Sequence, residues 1–234
     1  MFKKRKKMKQ IAARKLVTSV SPKSIVSEQF RTIRTNINFS MQDRGLKTLL
    51  FTSSSIGEGK STTAANVAIV FAKEGKRVLL IDSDLRKPTM HYTFHKSISP
   101  GLTNLLSGHV ILEQIVKRTG VSGLYLITCG PIPSNPAELL GSSSMDTFIK
   151  EAKENYDMII FDAPPALSVS DAQILSNKCD GTILVISSGA TDKGNVVKAK
   201  EVLQASNANI IGTILNNFKL EKDHYYYQYY GEVE

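Results

Sequence analysis

The stretch LKTLLFTSSSIGEGKSTTAANVAIVFAKEG, residues 46–75, constrains the fold of this chain more than any other. Its apolar opening (46–54) ends in small residues and reads as a strand, while residues 62–75 read as a helix stopped by Gly75. Between them, SSSIGEGKST (53–62) sets Gly57 and Gly59 where a tightly turning backbone points its amides at phosphate oxygens. Lys60 can reach the β and γ phosphates and Ser61 offers a hydroxyl to Mg²⁺. The helix amino terminus adds favourable partial charge. The pattern GxxxxGK[ST] opens on glycine, whereas this chain has Ser54. A surface turn is the bland alternative, and the strand before and helix after the loop favour nucleotide binding.

Further apolar runs follow at 77–82, 124–128, 157–162, 181–188 and 209–216, separated by helical patterns, notably at 143–156 and 193–206. This alternation predicts an α/β fold, a mostly parallel central sheet flanked by helices, with ligands at the carboxyl ends of the strands. Before the first strand, residues 21–41 read as a helix whose Phe30, Ile33 and Ile37 form one apolar stripe, with Glu28, Arg31 and Arg34 around the other side.

Three carboxylates stand at strand ends. RVLLIDSDLRKPT (77–89) places Asp82 at the end of one apolar run and Asp84 two residues on; DMIIFDAPP (157–165) places Asp162 at the end of another. Near a phosphate loop such groups hold Mg²⁺ directly or through water. Capping of turns or helices is the alternative for any one of them. Asp162 most resembles a metal-side carboxylate, and Asp82 is placed to orient or accept the proton of an incoming hydroxyl. Arg86 and Lys87 either stabilise a transferred phosphate or hold a peptide acceptor, or else simply begin a solvated turn. Asn216 and Asn217, ending the last strand, either meet the base edge or make a turn. His91 and His95 lack companions of a zinc set.

Charge is concentrated at one end. Residues 1–15 carry eight Lys or Arg and no acid, nearly the whole net charge of +9. Such an arm suits anionic lipid or an acidic partner better than nucleic acid, since no reading helix or aromatic platform accompanies it. No apolar run of membrane-spanning length follows the arm. Two cysteines, Cys129 and Cys179, fit neither a metal cage nor a disulfide framework, which predicts a reducing cytoplasmic setting. At the other end five of the 8 tyrosines, Tyr225, Tyr226, Tyr227, Tyr229 and Tyr230, sit in a polar tail. They read either as an aromatic docking strip or as acceptors of a phosphoryl group, whose added charge would weaken self-association. The organisation expected is a basic arm (1–20), a nucleotide-binding domain with its leading helix (21–218) and a tail (219–234).

Taken together, SSSIGEGKST, LLIDSDLRKP (79–88), IIFDAPP (159–165), SEQFRTIRTN (27–36) and YYYQYY (225–230) resemble the bacterial tyrosine kinases of capsule and exopolysaccharide systems. The resemblance spans the chain from about Pro22 onward. It implies a phosphate-loop ATPase core of the partitioning and cell-division kind, with ATP held by Gly57, Glu58, Gly59, Lys60, Ser61 and Thr62. It also implies Mg²⁺ among Ser61, Asp84 and Asp162, and Asp82 as the group activating the tyrosine, with Asp84 a possible sharer. By the same resemblance Glu28, Arg31 and Arg34 mediate a ring-like homo-oligomer, one subunit's tail entering the next subunit's site until phosphorylation dissociates it. A separate membrane protein with a short cytoplasmic segment is the implied activator, recruiting the kinase to the inner face of the membrane. Proteins of polysaccharide synthesis are possible substrates.

Two other readings share the core. A partitioning-type ATPase switch, dimerising on membrane or DNA, commonly carries an extra lysine early in its loop, where this chain has Ser55. A nucleotide-regulated scaffold would recruit through arm and tail, and direct detection of phosphotyrosine separates it from a kinase.

Overall fold

The computed structural model describes residue 14, residues 16–41 and residues 45–219. The tyrosine cluster 225–230 and most of the basic arm lie outside the described residues.

Among the described residues seven strands form one sheet in the order β3-β4-β2-β5-β1-β6-β7. The central five are β1 (Thr48–Ser53), β2 (Val78–Asp82), β4 (Leu124–Ile127), β5 (Met158–Asp162) and β6 (Gly181–Ser187), with β7 (Ile210–Asn216) at one edge. All these pair in parallel; the short β3 (Val116–Arg118) runs antiparallel to β4 at the other edge. Every residue of β1, β2 and β5 is buried. Strands covered on both faces have no need of polar alternation, which is why the sequence shows continuous apolar runs there.

The pleat divides those runs between two cores. Leu49, Phe51, Leu80 and Ile160 face α3 (Lys60–Lys73). Leu50, Leu79, Ile81 and Phe161 face the opposite layer, built from α8 (Ser143–Asn155), α9 (Asp171–Lys178) and α10 (Lys193–Ala205), where Phe148, Leu175 and Leu203 are buried. Burying each such side chain stabilises the fold by roughly 1.5–3 kcal/mol.

Helix α3 is buried almost all round because a further helix covers its outer side. That cover is α2 (Ile25–Met41), whose Phe30, Ile33 and Ile37 stripe lies against the core. The short α1 (Val17–Val20) joins it: Thr18 is buried and donates through both its backbone N–H and its hydroxyl to Asn66 of α3, at 3.0 and 2.9 Å. Residues 17–20, expected in the basic arm, thus pack on the domain. The helix expected from residue 21 begins at Ile25, after a turn in which the Ser24 hydroxyl donates to the Ser21 carbonyl.

Short elements fill the stretches without strong periodicity: α4 (Met90–Thr93), α5 (Leu102–Leu106), α6 (Leu112–Ile115) and α7 (Pro136–Gly141). Each is too short for its period to register in sequence.

Candidate active site

β1 ends at Ser53 and α3 starts at Lys60, so residues 54–59 form the phosphate loop at the carboxyl edge of the sheet. The topology reverses beside β1: β5 and β2 lie on one side of it, β6 and β7 on the other. Open parallel sheets bind ligands at such a switch point. Gly57 and Gly59 both take positive φ, 88° and 92°, which allows the tight turn into α3.

Lys60 and the three aspartates meet here. Asp82 and Asp162 are register partners at the ends of β2 and β5. The Lys60 ammonium lies 3.3 Å from Asp84 Oδ2, 3.4 Å from Asp162 Oδ1 and 3.2 Å from Ser61 Oγ. Burial depresses the lysine pKa, yet Asp162, Asp84 and Asp82 outweigh it and leave the pKa raised. Asp82 is pushed up to about 7, first by burial and then by the neighbouring Asp162. One Asp82 oxygen caps α4, accepting from the Thr89 and Met90 amides at 2.9 and 2.8 Å. Asp84 accepts from the Lys87 amide at 3.0 Å and lines the adjoining cleft.

Two oxygens in this cluster, Asp82 Oδ1 and Asp162 Oδ2, are buried and meet no hydrogen-bond donor. Buried carboxylate oxygens demand a donor or a cation. Among the described residues no three His, Cys, Asp or Glu side chains form a ready metal cage. Mg²⁺ takes one or two carboxylates and completes its octahedron with phosphate and water. Ser61, Asp84 and Asp162 are therefore a chemically suitable set.

A cleft of about 780 Å³ opens beside the loop. Gly57, Lys60, Asp84, Arg86 and Lys87 line its polar side, and Ile132 and Tyr92 its apolar rim. Its described lining comes from the phosphate loop, from the loops after β2, β4 and β5, and from Arg14, with nothing from β6 or β7. Arg86 turns back into the protein, donating from Nε and Nη2 to the buried Asp171 of α9 at 2.9 Å each. That pairing raises its pKa. Lys87 is exposed at the cleft.

Glu58 is buried, with its carboxylate turned into the loop. Thr62 lines the cleft. Asn216 lies across the loop, its side-chain amide donating to the Glu58 carbonyl at 3.0 Å. Asn217 takes a positive φ of 57° and donates to Ser187 Oγ. His91 is half-buried against Tyr92, with its pKa lowered by burial. His95 sits in a turn at φ 52°.

Glu28, Arg31 and Arg34 do not share one environment. Glu28 and Arg31 pair with each other on α2. Arg34 donates to the Val70 carbonyl at 3.3 Å and approaches Glu74 at 3.4 Å, both at the carboxyl end of α3. Sequence reasoning did not find Asp171 or Thr191. Asp171 carries a weak signal, an acid opening a helical pattern; Thr191, which hydrogen-bonds Glu58, carries none.

Among the described residues no helix is long and apolar enough to cross a membrane. The family described as AAA domain matches residues 46–195. The tyrosine-protein kinase YwqD of Bacillus subtilis is 52% identical over 93% of this chain and 92% of its own. The crystal structure of the chimerical protein CapA2B2 superposes with a TM-score of 0.85 at 36% identity, covering 89% of this chain and 93% of that one. The septum site-determining protein MinD of Pyrococcus horikoshii superposes at 0.62 and 24% identity over 72% of this chain and 69% of its own, a likeness of fold alone. The chain carries an AAA-type phosphate-loop domain and belongs to the bacterial tyrosine-protein kinases.

Proposed function

We propose that the chain transfers the γ-phosphoryl group of ATP to tyrosines of its own carboxyl-terminal cluster, Tyr225, Tyr226, Tyr227, Tyr229 and Tyr230, between subunits. The observation that carries this reading is the Lys60 ammonium held between Asp84 and Asp162, beside a cleft on the β2 side of the phosphate loop. A nucleotide whose base lies toward β7 and Asn216 leaves that cleft for an acceptor.

In the transfer the tyrosine oxygen forms a bond to the γ phosphorus, the bond from that phosphorus to the β-bridging oxygen breaks, and ADP leaves. Ser61, Asp84 and Asp162 would hold Mg²⁺, which would supply charge neutralisation on the phosphates. Lys60 moves from the carboxylates to the phosphate oxygens, and the loop amides from Gly57 to Thr62 orient the nucleotide. Asp82, whose proton affinity near neutrality suits a base, takes the phenolic proton. Arg86, locked to Asp171, shapes the cleft wall, which leaves Lys87 to face the acceptor.

Oligomerisation through Glu28, Arg31 and Arg34, activation by a membrane protein's short cytoplasmic segment, and control of capsular or extracellular polysaccharide synthesis and export complete the reading. It is supported by kinship with tyrosine kinases and by likeness to CapA2B2. The basic arm adds attraction to anionic lipid at the inner membrane face. The domain proposed is 21–218 together with the packed residues 17–20, with the basic residues before them as arm and 219–234 as tail.

Mass spectrometry after incubation with Mg²⁺-ATP tests it, with and without the activator segment. Wild type gains phosphate on the tail, while Lys60→Met and the variant with all five tail tyrosines changed to Phe do not. ATP hydrolysis without phosphotyrosine in either condition transfers the assignment to a switching ATPase.

A further inference from the structure

We infer that Glu58 is a positioning residue for nucleotide binding: its carboxylate fastens the phosphate loop to the β6–α10 loop, so that the phosphate and base ends of the site hold one fixed spacing. The inference rests on the nucleotide-binding reading above and assigns Glu58 a role through its neighbours.

The loop lacks the glycine that opens the common phosphate-loop pattern, and Ser54 stands there instead. Glu58 secures that serine twice. The Ser54 amide donates to Glu58 Oε2 at 3.0 Å and its hydroxyl to Oε1 at 2.6 Å, the short separation of a hydroxyl on a carboxylate. The loop is thereby closed on itself across four residues.

A third bond leaves the loop. Thr191 donates its hydroxyl to Glu58 Oε1 at 3.0 Å and accepts from the Ser187 amide at 2.9 Å. Ser187 ends β6 and takes a bond from Asn217, while Asn216 donates to the carbonyl of Glu58 itself. The ties that leave the loop run to the β6–β7 side of the switch point, away from Asp82, Asp84 and Asp162 on the other side. Severing them loosens the nucleotide's seat and leaves the carboxylate–lysine cluster intact. A glutamine fits the space, but with its oxygen on the Ser54 amide it turns an NH₂ to the two hydroxyls, which must then reverse to accept, and every bond loses its charge assistance.

The test measures the Kd of Mg²⁺ with a non-hydrolysable ATP analogue by calorimetry on the full chain, alongside KM and kcat for tail phosphorylation. Glu58→Gln is expected to weaken analogue binding about tenfold, the scale of one charge-assisted hydrogen bond, with kcat within about twofold of wild type. Thr191→Val weakens binding in the same direction and Thr191→Ser, which keeps the hydroxyl, does not. The double variant Glu58→Gln with Thr191→Val is no weaker than Glu58→Gln alone, because both cut one connection. Unchanged analogue affinity in Glu58→Gln overturns the inference, as does a fall in kcat alone. Losses from the two sites that multiply independently overturn it too. Should Glu58→Gln fail to fold, the Thr191→Val and Thr191→Ser pair decides, equal affinities refuting the link. Calorimetry reads binding without turnover, so a wild-type chain that makes no phosphotyrosine sinks the kinase reading and leaves this one standing or falling on its own Kd.

Discussion

Asn216 closes over Gly59: a β-carbon on residue 59 would lie 2.0 Å from the Asn216 side-chain nitrogen. The same glycine holds φ at 92°, a region that penalises L side chains by about 1–2 kcal/mol. Gly59→Ala is therefore expected to weaken nucleotide binding by about tenfold or more, since Asn216 must swing aside and the backbone strain stays. Adding Asn216→Gly removes the collision but not the backbone strain, so binding returns only in part. Calorimetry on the two variants checks both statements.

Lys60 neutralises a buried cluster, besides the phosphate contact proposed for it. In Mg²⁺-free protein, Lys60→Met leaves Asp162 and Asp84 without their cation, a loss of about 3–5 kcal/mol at pH 8 on the scale of broken buried ion pairs. Urea unfolding of the wild type and the variant measures the difference.

Asp82 makes the folded metal-free protein less stable as pH rises. Its pKa moves from 3.8 to about 7 on folding, so between those values the native state binds more protons than the unfolded chain. Stability contributed by the protonated acid is full below about pH 4 and is lost as pH climbs through 7. Asp82→Asn keeps an oxygen for the Thr89 and Met90 amides and escapes that loss. Without Mg²⁺ it should exceed wild-type stability at pH 8 by up to about 4 kcal/mol, and match it near pH 4. Phosphorylation of the tail should fall sharply in the same variant.

The Arg86–Asp171 fork joins the loop after β2 to the helix after β5, beside the cleft proposed to take the acceptor. Arg86→Ala leaves the buried Asp171 carboxylate without its donors, and because Arg86 itself is exposed and water can enter, the expected loss is about 1–2 kcal/mol. Arg86→Lys restores one contact and only part of the stability, since a single ammonium cannot reproduce a planar fork. Tail phosphorylation should drop further than affinity for the ATP analogue, because the fork shapes the acceptor side. Thermal melts and the two assays separate these effects.

Arg31 and Arg34 should part company on α2. Arg34 bonds the end of α3, so Arg34→Ala lowers Tm. Arg31 pairs only with its helix neighbour Glu28 and with the Pro22 carbonyl among the described contacts. Arg31→Glu is expected to leave Tm within about 2 °C, as surface pairs contribute little, while reducing the assembly mass seen by light scattering.

The main architecture was legible because it rests on local periodicity. The strands read at 124–128 and 157–162 appear at Leu124–Ile127 and Met158–Asp162, and the helix at 193–206 appears at Lys193–Ala205. The edge strand Val116–Arg118 escaped notice, being held by pairing with β4 rather than by any pattern of its own. In the site, the strand-end aspartates and Lys60 were legible for the same reason: a loop that must follow a buried strand can only deliver them to the sheet's carboxyl edge.

What sequence by itself determined is therefore which elements form and which edge carries the chemistry, since alternation and loop composition act over a few residues. Only tertiary structure decided how neighbours share the charges. Glu58 turns inward to Thr191, 133 positions away, Arg86 pairs with Asp171 across 85, and Arg34 reaches Val70 across 36. Each of these side chains has several chemically acceptable partners, and nothing local ranks them. The choice falls to whichever partner the packed sheet brings within hydrogen-bond reach while excluding water from the pair.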